Sequence, residues 1–223
     1  MRESGAPPRS EPELLQRAAH IAGRTLQQIA AELGMPVPVN LRRHKGWVGS
    51  LLERVLGTDA ASLSEPDFTA LGIELKTLPI DRHGRPKEST FVCVAPLSAR
   101  IGTWETSAVR RKLARVLWVP VEAAADIPMP LRHIGSAILW SPSGDQERVL
   151  RADWEELSEM IALGRLHEIS ARHGRCLQIR PKAANARALT ASFNESGEPS
   201  RTMPRGFYLR AKFTAEIIGG RGR

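Results

Sequence analysis

The sequence predicts a mixed α/β (α+β) fold in which helices flank a short mixed sheet. Three patterns predict it: apolar stripes at helical spacing ahead of Gly57, a change to strand-like alternation from Ile73, and extended runs interrupted by one later amphipathic helix. Ser10 reads as the N-cap of the first helix, with Glu11 and Glu13 in its first turn and Leu14, Leu15, Ala18, Ile21 and Ala22 as a stripe that Gly23 ends. A second helix starts at Thr25, buries Leu26, Ile29, Ala30 and Leu33, and stops at Gly34, after which the proline-containing stretch Met35 to Asn40 is a connector. A third helix runs from Gly46 to Leu56. Ile73 and Leu75 then alternate with Glu74 and Lys76, and Phe91 to Ala95 is a continuous apolar run, so both are strands. Asp81-Arg82-His83-Gly84-Arg85-Pro86 between them is dense in turn formers, which predicts an antiparallel hairpin. Val116 to Val121 and Ala137 to Trp140 add two strands, Ala152 to Leu163 adds a helix faced by Trp154, Leu157, Met160 and Ile161, and Cys176 to Ile179 is extended. One sheet-centred core with a helical N-terminal arm is expected: residues 1–10 as a flexible leader, 11–218 as the domain and 219–223 as a flexible tail.

Composition narrows the function. The 223 residues carry a formal net charge of +8 and a pI near 10.3. That balance favours a polyanionic partner, because clustered Lys and Arg release the counterions condensed on phosphates. Nucleic acid fits better than a membrane, since no apolar run approaches the roughly 20 residues of a spanning helix. A soluble, cytoplasmic protein is expected. Cys93 and Cys176 are far apart, so no CxxC pair binds zinc, and the scattered histidines show no HExxH or HxH spacing.

The chemistry concentrates at Pro66-Asp67 and Glu74-Leu75-Lys76, which have the form of the PD-(D/E)XK nuclease signature. Positions i and i+2 of a strand share a face, so the Glu74 carboxylate and the Lys76 amine point together while Ile73 and Leu75 pack inward. Asp67 needs only a turn to face them. Two carboxylates hold Mg²⁺ through hard oxygen ligands, and an ammonium beside them orients water or neutralises developing charge. The same residues also suit the solvated face of an amphipathic strand. Glu53, after two leucines on the third helix, is a third acidic ligand or an exposed helix glutamate. Lys45 is a phosphate contact or part of a general basic surface. Arg180, Pro181 and Lys182 put a rigid turn and two cations at a strand end, as a groove-entering loop or a basic solvated turn. Tyr208 is the only tyrosine.

Taken together, these segments resemble the MutH family, the strand-discriminating endonucleases of bacterial methyl-directed mismatch repair. The resemblance rests on Lys45-Gly46-Trp47 with Glu53, on Asp67-Phe68 and Leu71 to Thr77, on Thr90 to Leu97, and on Thr103 to Ser107. It continues through Arg115 to Trp118, Asp153 to Leu157, Gln178 to Ala186 and Pro204 to Leu209, so it spans roughly residues 12–216. It implies a restriction-endonuclease-like fold with two lobes flanking a DNA cleft, and a monomer that nicks the unmethylated strand of hemimethylated GATC 5′ to the guanine. It implies Mg²⁺ (Mn²⁺ substituting) held by Asp67, Glu74 and Glu53, with Lys76 catalytic and Lys112 near the scissile phosphate. Lys45, Phe91, Arg180, Pro181, Lys182 and Tyr208 would contact DNA, Tyr208 near the adenine whose methylation is sensed. The mismatch-repair ATPase MutL is the implied activator. The chain departs from the family at its end, where Ile217-Ile218 meets Gly219-Gly220 in place of a longer apolar C-terminal helix. A GATC-specific restriction endonuclease is the nearest alternative, though such enzymes pair two domains. A non-cleaving DNA-binding module is a second, disfavoured because all three acidic residues and Lys76 are present.

Overall fold

The structure is a computed structural model that describes residues 6–38, 44, 46–60, 64–98, 100, 102–182 and 188–220. Among these residues the elements are, in chain order, α1 (Glu11–Ile21), α2 (Leu26–Glu32), α3 (Trp47–Leu56), β1 (Glu74–Ile80), β2 (Thr90–Val94), α4 (Ala108–Leu113) and β3 (Val116–Glu122). There follow β4 (Ile138–Trp140), α5 (Gly144–Ala162), β5 (Leu177–Pro181), β6 (Thr190–Phe193), β7 (Pro199–Thr202), β8 (Arg205–Leu209) and α6 (Ala211–Gly219). The class is mixed α/β, as expected. The chain divides into two compact units, Met1–Lys87 with Arg115–Ser141 and Glu88–Ala114 with Pro142–Arg223. No helix among the described residues is long and apolar enough to cross a membrane.

In the first unit, β3 is the central strand of a three-stranded sheet, parallel to β1 and antiparallel to β4. Its first six residues are all buried, the continuous apolar run that a strand covered on both faces requires. The helices start where side chains satisfy their orphan donors. Ser10 Oγ accepts from Glu13 N, and Thr25 forms a reciprocal capping box with Gln28. Within the expected leader, Arg17 donates to the Ala6 carbonyl at 2.7 Å and Arg9 N to the Glu13 carboxylate at 2.8 Å. The core joins Leu14, Leu26, Ile29, Leu51, Leu52 and Leu56 of the helices to Leu75, Leu117 and Val119 of the sheet. Those strand positions face α1–α3, so Glu74 and Lys76, of the opposite parity, project from the other face.

The hairpin expected after β1 is corrected. Asp81 does make the turn, accepting from His83 N and Arg85 N at 2.8 and 2.9 Å, and Lys87 N reaches the Pro79 carbonyl at 3.0 Å. Pairing ends there: β1 lies beside β3, and β2 pairs with β8. A turn dictates a reversal locally but does not choose the strand's partner.

In the second unit, β2, β8 and β5 form an antiparallel sheet in that order, and β6 and β7 form a separate hairpin. Gly206 of β8 is required where it stands, because a Cβ there would lie 2.8 Å from Phe91 Cε2. α5 begins at Gly144 behind a Ser143 capping box, eight residues ahead of the expected Ala152. Its Asp153 is 4% exposed and accepts from three successive backbone amides, Arg175, Cys176 and Leu177, at 2.8, 2.6 and 2.8 Å. The carboxylate thereby fixes the entry into β5. Residues 183–187 lie outside the described residues, and β6 begins at Thr190. α6 buries Phe213, Thr214 and Ile217 and ends at the Gly219-Gly220 pair.

Candidate active site

The chain reverses between Asp67 and β1 through a single 3-10 turn, Thr69–Leu71, that Gly72 closes with a φ of 63°. Phe68 and Ile73 bridge across it, Phe68 N to the Ile73 carbonyl at 2.9 Å and Ile73 N to the Phe68 carbonyl at 3.3 Å. This delivers the Asp67 carboxylate to the strand, where its Oδ2 accepts from Leu75 N at 2.7 Å. On β1, Lys76 Nζ donates to Glu74 Oε1 at 2.6 Å, with side-chain exposures of 14% and 4%. A pair so far out of water is strongly charge-assisted and held in one geometry. Asp67, Glu74 and Lys76 therefore meet on the first strand, as the spacing predicted.

Glu53, exposed on α3, is coupled to them electrostatically. Its carboxyl pKa is raised above 4.5, first by desolvation and then by the charge of Asp67, with Lys76 opposing and Glu74 adding. Glu53 therefore feels the charges of the other three. Three carboxylates against one ammonium leave excess negative charge, and hard oxygen donors of that kind suit a divalent cation, although the three do not lie within 4.8 Å of one another as one ligand set. Because its folded pKa is raised, Glu53 contributes stability that is complete below about pH 4.5 and is lost as pH rises through the folded value. Glu53→Gln should then melt no lower than wild type at pH 7 without metal, and should gain less on adding a divalent ion. A thermal scan with and without Mn²⁺ checks this, and an apo variant that is less stable at neutral pH would contradict it.

The expected DNA-contacting residues converge in the second unit. Phe91 and Tyr208 are register partners on β2 and β8, with ring centroids 5.3 Å apart and an edge-to-face tilt of 65°. Lys182 Nζ lies 3.1 Å from the Phe91 centroid, and the Arg180 guanidinium 5.9 Å from the Tyr208 centroid. Arg180 also donates to Ser89 Oγ at 2.5 Å, and Lys182 N to the Pro204 carbonyl at 2.7 Å. Burial pushes the Tyr208 phenol above its usual pKa, with Arg180 opposing. The ring thus stays a neutral donor and acceptor. Pro181 pairs with Arg205 at the end of β5. Lys112 is 6% exposed on α4 and belongs to this unit, while the acidic group belongs to the other. Lys45 lies outside the described residues.

Sequence reasoning overlooked Ser89, Gly206 and Asp153 as supports of this surface. It also overlooked Asp59 and Thr69, which brace the Asp67 turn with hydrogen bonds of 2.8 and 2.9 Å. Only the capping-type spacing of small polar residues around Asp67 carried any signal for the last two.

A mixed sheet whose first strand presents an acidic and a basic residue two apart, with an aspartate turned onto it, defines a nuclease of the restriction-endonuclease type. The comparisons with known proteins narrow this class. The family model for the DNA mismatch repair enzyme MutH matches residues 56–153. The DNA mismatch repair protein MutH of Vibrio parahaemolyticus is 57% identical over 212 residues, covering 95% of this chain and 94% of the relative. That of Escherichia coli is 56% identical over 214 residues, covering 96% and 93%, and that of Pectobacterium atrosepticum 55% identical over 212 residues, covering 95% and 92%. The chain belongs to the MutH family, the endonucleases of DNA mismatch repair.

Proposed function

We propose that this protein nicks the unmethylated strand of hemimethylated GATC sites, 5′ to the guanine, by Mg²⁺-dependent phosphodiester hydrolysis, and that MutL activates it. The observation that carries the reading is the convergence of Asp67, Glu74 and Lys76 on β1, with Glu53 electrostatically coupled to them. Asp67, Glu74 and Glu53 would hold Mg²⁺, with Mn²⁺ able to substitute. When bound, the ion supplies Lewis-acid stabilisation of charge on the phosphate and lowers the pKa of its water. Lys76 is aimed by its bond to Glu74, so its remaining donors orient the attacking water or meet charge developing on the phosphate. Lys112 is assigned to the scissile phosphate and Lys45 to the DNA path.

Sequence reading is assigned to Arg180, Pro181 and Lys182, with Phe91 and Tyr208 beside them. Arg forks onto the acceptor pair of guanine in the major groove, and N6-methylation of adenine adds bulk and removes one donor there. An aromatic ring packed against that edge registers the difference. The protein acts in the cytoplasm as a monomer, one active site serving one strand.

The test incubates the protein and Mg²⁺ with unmethylated, hemimethylated and fully methylated GATC duplexes, with and without MutL. Nicking of the unmethylated strand only, accelerated by MutL and lost in EDTA, is the expected result. Equal cutting of all three duplexes would refute strand discrimination. Tyr208→Ala should lower the preference for unmethylated over methylated strands by about tenfold or more while leaving the metal requirement unchanged, the loss expected when a fitted apolar contact is removed.

A further inference from the structure

Asp67 is held by a residue outside the acidic set. α3 ends at Gly57, whose φ of 82° turns the chain so that Gly57 N and Thr58 N both donate to the carbonyl of Glu53, at 2.9 and 3.0 Å. The next residue, Asp59, donates from its own N to the carbonyl of Asp67 at 3.0 Å. Its carboxylate then takes both donors of Thr69, the backbone N on Oδ1 at 2.8 Å and the hydroxyl on Oδ2 at 2.9 Å. Asp59 therefore grips the chain on either side of Phe68, which is 1% exposed and anchors the turn that delivers Asp67 to Leu75 N. Three residues of backbone connect Glu53, through Gly57 and Asp59, to Asp67.

We infer that Asp59 is a positioning residue for the nuclease reaction: by bracing the turn on either side of Phe68 it holds the Asp67 carboxylate against β1, so that this ligand is aimed before a divalent cation arrives. The inference rests on the metal-dependent reading above. Asp59 is itself exposed, so its loss disturbs packing little. What it controls is aim. A carboxylate held by partners outside the ligand set loses no freedom when it takes up an ion, and removing such partners typically weakens metal binding by about 10–100-fold. The bland alternative is a loop aspartate that caps a 3-10 turn and affects stability alone.

The experiment uses the full chain as wild type, Asp59→Ala and Asp59→Asn. Mn²⁺ binding is read by the paramagnetic resonance of the free ion, nicking against Mg²⁺ concentration, and melting without metal. Asp59→Ala should raise both the Mn²⁺ dissociation constant and the half-saturating Mg²⁺ by about tenfold, the lower end of the usual range, with the maximal rate at saturating Mg²⁺ nearly retained and the apo midpoint almost unmoved. Asp59→Asn keeps an acceptor for Thr69 N and a group to pair with the hydroxyl, and should recover most of the affinity. Equal Mn²⁺ affinity in wild type and Asp59→Ala overturns the inference and leaves the metal reading standing. An equal loss in both variants that follows a lowered apo midpoint also overturns it, in favour of the capping role. A wild type that binds no Mn²⁺ removes the metal reading and the inference together.

Discussion

Asp67→Asn should reduce Mg²⁺-dependent nicking by about a thousandfold or more while leaving the fold intact. The separation follows from what the carboxylate does in each role. Toward the protein it accepts a backbone hydrogen bond from Leu75 N at 2.7 Å, and an amide oxygen accepts the same bond. Toward a cation it contributes a negative charge and hard oxygens, which an amide only partly replaces. About 4 kcal/mol of transition-state stabilisation corresponds to that thousandfold, a reasonable share for one ligand in a site where charge stabilisation is the largest contribution. Glu74→Gln is a harsher change. It removes the charge that Lys76 is paired with at 2.6 Å, in a place where Glu74 is 3% exposed, and breaking a pair this far out of water costs stability as well as activity. The measurement is the single-turnover nicking rate at saturating Mg²⁺, beside DNA binding in Ca²⁺ and a melting curve. Asp67→Asn that still nicks within tenfold of wild type would remove Asp67 from the metal site.

One part of the site was legible in the sequence and another was not. Glu74 and Lys76 share a face because a strand repeats every two residues, and Asp67 reaches them through one short turn, so the triad is local and its spacing reveals it. Glu53 belongs to the group only because α3 packs on the same sheet, and Asp59 only because a helix cap ends beside the Asp67 turn. Neither relation has a sequence period. Strand pairing failed for a related reason: Asp81 through Pro86 does encode a reversal, but β1 takes β3 as a parallel partner after a long crossover, and no local signal names that partner. The early start of α5 was hidden differently. Between Gly144 and Arg151 only Leu150 is buried, so the first two turns show no apolar stripe, although the Ser143 to Gln146 capping box marks their beginning. β8 was hidden by Gly206, a poor strand former kept there because the Phe91 ring lies against its α-carbon.

Asp153→Ala should destabilise the protein more than any substitution among the exposed acidic residues. Three successive amides, Arg175 N, Cys176 N and Leu177 N, donate to this one carboxylate within 2.8 Å. Alanine leaves them without an acceptor in a place where Asp153 is 4% exposed. Each stranded donor costs about 1–3 kcal/mol, and partial rehydration of the vacated space limits the sum to about 3–5 kcal/mol. For a chain of this size that lowers Tm by roughly 10 °C. Gly174, which leads into this run, must stay glycine as well: its φ is +71°, and a Cβ there would meet the Leu177 carbonyl oxygen at 2.2 Å. Asp153→Asn keeps one acceptor oxygen but turns a donor toward the amides, so it should recover only part of the loss. The effect reaches function through β5. The strand that starts at Leu177 carries Arg180 and Pro181 at its far end, pairing with β8 from Leu177↔Leu209 to Pro181↔Arg205. With its entry unpinned, β5 should fray from that end, and amide exchange should accelerate at residues 175–177 before it does in β1 or β3. Sequence preference should then erode while the metal dependence of nicking does not change. Unaltered protection at Arg175, Cys176 and Leu177 in the variant would show that the anchor lies elsewhere.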